Sequence, residues 1–250
     1  MNSTTPDSTP PRRAMVLAAG LGLRMREVSD TLPKPLIEVH GRTLIDHAFD
    51  RLVHSGVEYV VVNLHYRGEM IRDHLASRSD ITIDYSEEAE LLETGGGVRK
   101  ALGLLGPDPF YVVNADALWL NGPYSALDRL AATWRDDAMD GLLLIYETIE
   151  AKGYEGVGDF LVEQDGALKR RPESEVSPYL FTGVQILHPR LFADAPDGPF
   201  SLNLLYDRAI EHGRLFGSIH DGIWFHVGSA AGLEAAEEFM AQRFPEKIRR

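Results

Sequence analysis

Two periods of apolar residues alternate along the first 150 positions. Residues 14–18 (AMVLA) form an unbroken apolar run leading to Gly20, which predicts a buried strand entering a loop. Within residues 43–55, Leu44, Ile45, Ala48, Phe49, Leu52 and Val53 recur at helical spacing, and Gly56 follows as a stop. Residues 58–63 (EYVVVN) are rich in valine, the composition of a strand covered on both faces. The same reading gives a helix over 68–77, a strand over 81–85, a glycine turn then helix over 95–105, a strand over 109–114, a helix over 125–134 and a strand over 141–147. Such alternation predicts the α/β class: a doubly wound, mostly parallel sheet with helices on both faces. Ligands of such sheets bind beyond the carboxyl ends of the strands.

From about residue 150 the texture changes. Short strands are predicted over 160–163, 167–169 and 180–187, and helices over 202–211 and 230–244. They predict a smaller lobe packed on the first, within one domain spanning 14–244. Residues 1–13 are rich in Ser, Thr and Pro and lack the apolar stretch of a secretory signal, so they read as a disordered leader. Residues 245–250 read as a tail.

Composition narrows the chemistry. Cysteine is absent, which excludes a disulfide scaffold, a thiolate metal site and a cysteine nucleophile. A formal net charge of −13 argues against nucleic acid as a partner. No uncharged apolar run reaches the ~18–20 residues of a membrane span. The expectation is a cytoplasmic protein acting on small molecules, as a monomer or small homo-oligomer.

Three segments at predicted strand ends carry candidate chemistry. The first is Leu17-Ala18-Ala19-Gly20-Leu21-Gly22-Leu23-Arg24-Met25, followed by Pro33-Lys34-Pro35. Glycines let backbone N–H groups approach an anion, and Arg24 and Lys34 add cations. The segment is neither a P-loop nor the dinucleotide fingerprint, and by itself a tight turn explains it equally well. Prolines on both sides of Lys34 predict extended backbone that holds the lysine in one place. The second is Glu93-Thr94-Gly95-Gly96-Gly97, where bulk is forbidden: a flat base lying on the backbone, or a flexible loop, would account for it. The acidic cluster Glu87, Glu88 and Glu90 before it reads as a solvated loop. The third is Asn114-Ala115-Asp116, whose carboxylate suits a hard divalent cation or a turn cap.

Taken together, LAAGxGxRM, PKPL, ETGGG and a strand ending in Asp resemble the sugar-1-phosphate nucleotidyltransferases, over nearly the whole chain from Ala14. The segments LLETGGGVRKAL, GDF, FTGVQILHP and WFHVGS are most similar to the N-acetylmuramate-1-phosphate uridylyltransferase branch, with mannose-1-phosphate guanylyltransferases as near relatives. The resemblance implies a Rossmann-like fold joining a sugar 1-phosphate to UTP in cell-wall sugar recycling. It implies that Leu17, Ala18, Ala19, Gly20, Gly22 and Arg24 hold the nucleoside triphosphate. Lys34 would touch a reacting phosphate. Glu90, Thr94, Gly95 and Gly96 would border the base. Asn114, Gly158, Asp159, Thr182 and Gly183 would lie along the sugar, and Asp116 would bind Mg2+, with Mn2+ as the alternative.

Two departures stand out. His226, in Trp224-Phe225-His226-Val227-Gly228-Ser229, occupies the place of the family's second metal-binding Asp. The ligand role could pass to His226, to Asp221 or to water; imidazole suits manganese or zinc better than magnesium. The V-E-K-P sugar motif of longer members is missing, because Asp165 follows Val162-Glu163-Gln164. A regulatory module that binds nucleotide-sugar without turnover, and a cytidylyltransferase acting on an alcohol phosphate, are the rival readings.

Overall fold

The computed structural model describes residues 9–22 and 31–245. Its first half is the expected doubly wound unit. Strands β1 (Arg13–Leu17), β4 (Tyr59–Leu64), β5 (Thr82–Glu87) and β6 (Phe110–Asn114) run parallel in the spatial order β6-β1-β4-β5. The period-2 alternation within these strands sends residues to opposite faces. Ala14, Val16, Val60, Val62 and Val113 face one core with helices α1 (Leu44–His54), α2 (Gly68–Leu75) and α4 (Ala126–Thr133). Met15, Val61 and Val112 face a second core with α3 (Glu93–Leu105) and α5 (Asn203–Glu211).

The chain passes from β1 to β4 and β5, then crosses back to place β6 on the other side of β1. The strand order therefore reverses between β1 and β6. A crevice opens at such a reversal, because the connections leave in opposite directions.

The second half extends the sheet antiparallel. Strand β11 (Tyr179–Leu187) pairs with β6, with β8 (Gly141–Glu147) and with β9 (Phe160–Val162). Strand β9 pairs with β10 (Leu168–Arg170), and β12 (Leu215–Ile219) runs parallel to β8. A small ladder joins β7 (Leu118–Leu120) to β13 (Ile223–Phe225). Another joins β2 (Glu38–Val39) to β3 (Arg42–Thr43). Helix α6 (Ala230–Arg243) buries Ala236 and Met240 against Val39, Leu118 and Phe225 in a third core. Among the described residues no helix is long and apolar enough to cross a membrane.

Several expectations change. Strand β1 begins at Arg13, and Pro11 is buried while the Arg12 carbonyl accepts from the Glu58 amide at 2.9 Å. The folded part therefore already includes Pro11, three residues before the expected start; residues 1–8 of the expected leader, and 246–250 of the tail, lie outside the described residues. Strands β7, β12 and β13 were not expected. β7 and β13 are three residues long. β12 carries Gly217, which leaves room for the Leu168 side chain. Lys34–Leu36 is a 3-10 turn, not extended backbone. Pro35 fits there because its missing N–H falls where a helical turn has no partner to offer.

Candidate active site

Two strand ends build the site. β1 and β6 pair as Leu17↔Asn114, and β1 and β4 pair as Leu17↔Asn63. An asparagine thus stands beside Leu17 on each neighbouring strand, Asn114 as the last residue of β6 and Asn63 one residue before the end of β4. The Ala115 amide donates to the Leu17 carbonyl at 3.0 Å, fixing the start of the turn that carries Asp116. On the other side, Asn63 Oδ1 accepts from the Ala18 amide at 2.8 Å. The loop after β1 is tied to both neighbours before it leaves the sheet.

A cavity of about 590 Å³ lies over this reversal point. Leu17, Ala18, Ala19, Gly20 and Gly22 line it, together with Lys34, Asn114 and Asp116. Leu91, Glu93 and Thr94 lie on the wall, with Asn63, Ser201 and Gly228 also lining it. Lys34 Nζ meets Asp116 Oδ2 at 2.5 Å. The lysine side chain is 15% exposed and the carboxylate 37% exposed, so the charge pair is sheltered yet reachable from the cavity. Gly22 has φ +59°, and a Cβ there would sit 3.3 Å from Lys34 Cβ. Glycine at 22 therefore serves both the left-handed turn and the approach of Lys34.

Not every expected residue joins them. Arg24 lies outside the described residues. Glu90 is exposed and is not among the residues lining the cavity. Gly95 and Gly96 belong to the first turn of α3 and pack against the chain itself. A Cβ on Gly95 would overlap the Phe200 ring, and one on Gly96 would lie 2.5 Å from the Gly198 carbonyl oxygen. Internal packing is thus sufficient to require glycine at both positions, and the run lies in a helix and not in a loop. Thr94 does line the cavity, and its Oγ1 accepts from the Leu202 amide at 2.9 Å.

Of the expected sugar residues, Asn114 lines the cavity, while Gly158, Asp159, Thr182 and Gly183 belong to the antiparallel half beside it. Gly183, at φ +85°, sits at the irregular step of β11, where a Cβ would lie 2.8 Å from Asn114 Nδ2. It lets Asn114 stand between β11 and the cavity. Thr182 is buried and donates to the Leu144 carbonyl at 2.7 Å, which fixes the strand. Asp159 accepts from the Phe181 amide at 2.8 Å, and Gly158 turns at φ +74°. Burial, then the nearby Asp159 charge, push the Tyr154 hydroxyl up from its ordinary value.

The metal question divides. Asp116 is a hard oxygen donor, part-exposed at the cavity. That fits Mg2+ held by one carboxylate with phosphate oxygens and water completing its shell. His226 fits less well. Its ring packs edge-on to Tyr154 at 5.6 Å, and a Cβ on Gly228 would run into it. Among the described residues no group of three or more His, Asp or Glu side chains is placed to hold a metal. Asp221 is carried away. The register Phe225↔Leu118 and Ile223↔Leu120 takes it toward Gly122, and its carboxylate pairs with Arg129 at 2.6 Å.

Asn63, Glu88, Glu93, Leu91, Ser201 and Gly228 were not anticipated as site residues. Asn63 had a signal: EYVVVN ends like PFYVVN, with one polar residue closing an apolar strand. Glu88 is the exception in its acidic cluster. It is 5% exposed, and its carboxylate accepts from Asn63 Nδ2 at 2.7 Å and from the Leu92 amide at 3.0 Å.

The nucleotidyl transferase family profile matches residues 13–243. The chain belongs to that family. Among relatives, it is 41% identical over 240 residues to the N-acetylmuramate alpha-1-phosphate uridylyltransferase of Caulobacter vibrioides, covering 94% of this chain and 99% of the relative. The enzyme of the same name from Neisseria meningitidis is 36% identical, over 90% of this chain and 96% of its own length. A mannose-1-phosphate guanylyltransferase catalytic subunit beta from Drosophila pseudoobscura pseudoobscura is 27% identical over 91% of this chain but only 61% of the relative. Among solved structures, a UDP-glucose pyrophosphorylase complexed with UDP-glucose superimposes with a TM-score of 0.77 at 18% identity. The match covers 93% of this chain and 99% of that one. In this nucleotidyl transferase, the expected fold class is the observed one.

Proposed function

We propose that this protein transfers a uridylyl group from UTP to N-acetylmuramate 1-phosphate, giving a UDP-sugar and pyrophosphate, in cytoplasmic recycling of cell-wall sugar. The observation that carries the reading is full-length identity of 41% to a uridylyltransferase of that specificity. The sheltered Lys34–Asp116 pair at the strand-order reversal supplies the matching chemistry.

One oxygen of the sugar phosphate attacks the α-phosphorus of UTP. The bond to the β,γ-diphosphate breaks on the opposite side, and pyrophosphate departs with the electron pair. The nucleophile is already anionic, so no strong general base is required. The difficulty is bringing two polyanions together in line. Backbone N–H groups of residues 19–22, with Arg24, hold the triphosphate, the Ala18 amide being held by Asn63. Lys34 neutralises charge on the reacting phosphates, and orientation in the crevice contributes several kcal/mol. Asn114 and the lobe around Asp159 and Gly183 hold the sugar. Asp116 would hold Mg2+, which when bound acts as template and Lewis acid.

The test is pyrophosphate release from a matrix of UTP, GTP, CTP and dTTP against N-acetylmuramate, mannose, glucose and N-acetylglucosamine 1-phosphates, with Mg2+ and with Mn2+. The expected maximum is UTP with N-acetylmuramate 1-phosphate. A maximum elsewhere in the matrix overturns the substrate assignment. Nucleotide binding without turnover anywhere in the matrix would make the protein a regulatory module.

A further inference from the structure

One residue on the cavity wall is at odds with its own backbone. Glu93 has φ +58°, the left-handed region that residues with a Cβ disfavour. Gly95, Gly96 and Gly97 follow closely, yet none of them has positive φ. They leave room for Phe200, the Gly198 carbonyl and the Glu88 carboxylate. Glycine thus stands where space demands it, and a glutamate stands where the backbone would favour glycine. Strain of this kind persists where the surroundings over-determine it, and it points to a task for the side chain.

The surroundings do over-determine it. The Ala18 amide donates to Asn63 Oδ1, Asn63 Nδ2 donates to Glu88 Oε1, and the Leu92 amide donates to Glu88 Oε2. A backbone N–H stands at each end of this relay, and the amide between them must turn its oxygen to Ala18. Only a carboxylate at 88 can then accept on both of its oxygens. The Phe200 amide donates to the Leu92 carbonyl at 3.2 Å, and the Gly95 amide to the Phe200 carbonyl at 2.8 Å. Residues 92 and 95 are held on either side of Glu93.

Glu93 itself is exposed and lines the cavity. Among the described residues its carboxylate has no hydrogen-bond or ion-pair partner. An ionised carboxylate accepts and never donates, and it repels phosphate. Within a triphosphate, the groups it can engage are ribose hydroxyls and base N–H. Glu93 also follows β5, whereas Lys34 and Asp116 flank the β1–β6 reversal.

We propose that Glu93 is a specificity residue of the nucleotide subsite. Its carboxylate accepts a hydrogen bond from an O–H or N–H of the nucleoside, and Glu88 is the positioning residue that holds it there. The inference rests on the uridylyltransferase reading.

The experiment is calorimetric titration of the full chain, with Mg2+, using UTP, 2′-deoxy-UTP, 3′-deoxy-UTP and N3-methyl-UTP, alongside thermal melts. Glu93→Gly is expected to raise Tm by about 2–4 °C by removing the strain, yet weaken UTP binding about tenfold to a hundredfold. Glu93→Gln should weaken binding without that gain in Tm. In the wild type, the analogue that loses affinity identifies the donor; in Glu93→Gly its penalty should vanish. Glu88→Gln puts a donor against a donor and should flatten the same discrimination. Wild-type discrimination in Glu88→Gln overturns the positioning role. Wild-type UTP affinity in both Glu93 variants, or an unchanged analogue penalty, overturns the proposal. If the wild type prefers another triphosphate, the uridylyltransferase reading fails, and Glu93 is judged by the variant-to-wild-type ratio on that triphosphate and its analogues. A wild type that binds no triphosphate overturns both.

Discussion

Two glycine-bearing segments border the same cavity and do opposite things. After β1, a Cβ on Gly20 would meet nothing within 4 Å among the described residues. At the start of α3, Cβ atoms on Gly95, Gly96 and Gly97 would collide with Phe200, Gly198 and Glu88. The first segment leaves space open to a ligand. The second has already filled its space with its own chain. A glycine run therefore says only that no Cβ is tolerated; what takes the Cβ's place is decided by the fold. The difference separates the two segments energetically: substitutions near the first should act on binding and chemistry, those in the second on stability.

The strongest way to break that division is at the charge pair beside the open loop. Asp116→Ala is expected to lower turnover by about a thousandfold, and Lys34→Ala by about a hundredfold to a thousandfold. Both should melt within a few degrees of the wild type, because a part-exposed pair contributes little to folding. Steady-state pyrophosphate release and thermal melts on the same preparations check this. Near-wild-type turnover in both variants would remove the pair from the chemistry. A collapse of Tm in both would assign it to folding instead.

Gly95→Ala tests the filled segment. Its Cβ would collide with the edge of the Phe200 ring, and overpacking of this kind costs about 1–3 kcal/mol. Chemical denaturation should show that loss, with turnover near the wild-type value while the protein stays folded. Phe200→Ala removes the ring but leaves the Phe200 carbonyl oxygen 2.9 Å from the new Cβ. The double variant should therefore be more stable than the sum of the two single losses, with only part of the penalty recovered. Strict additivity would show that the ring is not what forbids a side chain at 95.

The same contrast explains what could be read from the sequence. The doubly wound half was legible because each strand is a compact apolar run and each helix has a clear apolar face, so local pattern and tertiary position agree. Lys34 and Asp116 were singled out by the resemblance: each alone has an ordinary local explanation, a loop lysine between prolines and a turn cap after a strand, and only the order of the motifs joins them. The meaning of 95–97 was not legible, because Phe200 and Gly198 are about a hundred positions away and no local pattern reports them. Glu88 was misread for a related reason. Its neighbours Glu87 and Glu90 are exposed, and only the Asn63 and Leu92 donors set it apart. Strands β7 and β13 escaped notice because each is too short to show a period and exists through its partner.

The smallest effect should come from Gly20→Ala, and it is the sharpest test of the open segment. Gly20 is exposed and does not have the positive φ of Gly22, so alanine adds no backbone strain. Removing a glycine also narrows the unfolded ensemble, which stabilises by about 0.4–1 kcal/mol. Tm should therefore hold or rise by about 1–3 °C. The added methyl group would stand on a residue that lines the cavity, where the triphosphate is proposed to approach the backbone amides, so the apparent affinity for UTP should fall about threefold to tenfold, a loss of about 0.6–1.4 kcal/mol. The measurement is KM for UTP at saturating sugar phosphate, beside a melt without ligand. A fall in Tm with unchanged KM would mean that the loop packs on its own chain as the first turn of α3 does, and the division between the two glycine segments would be lost.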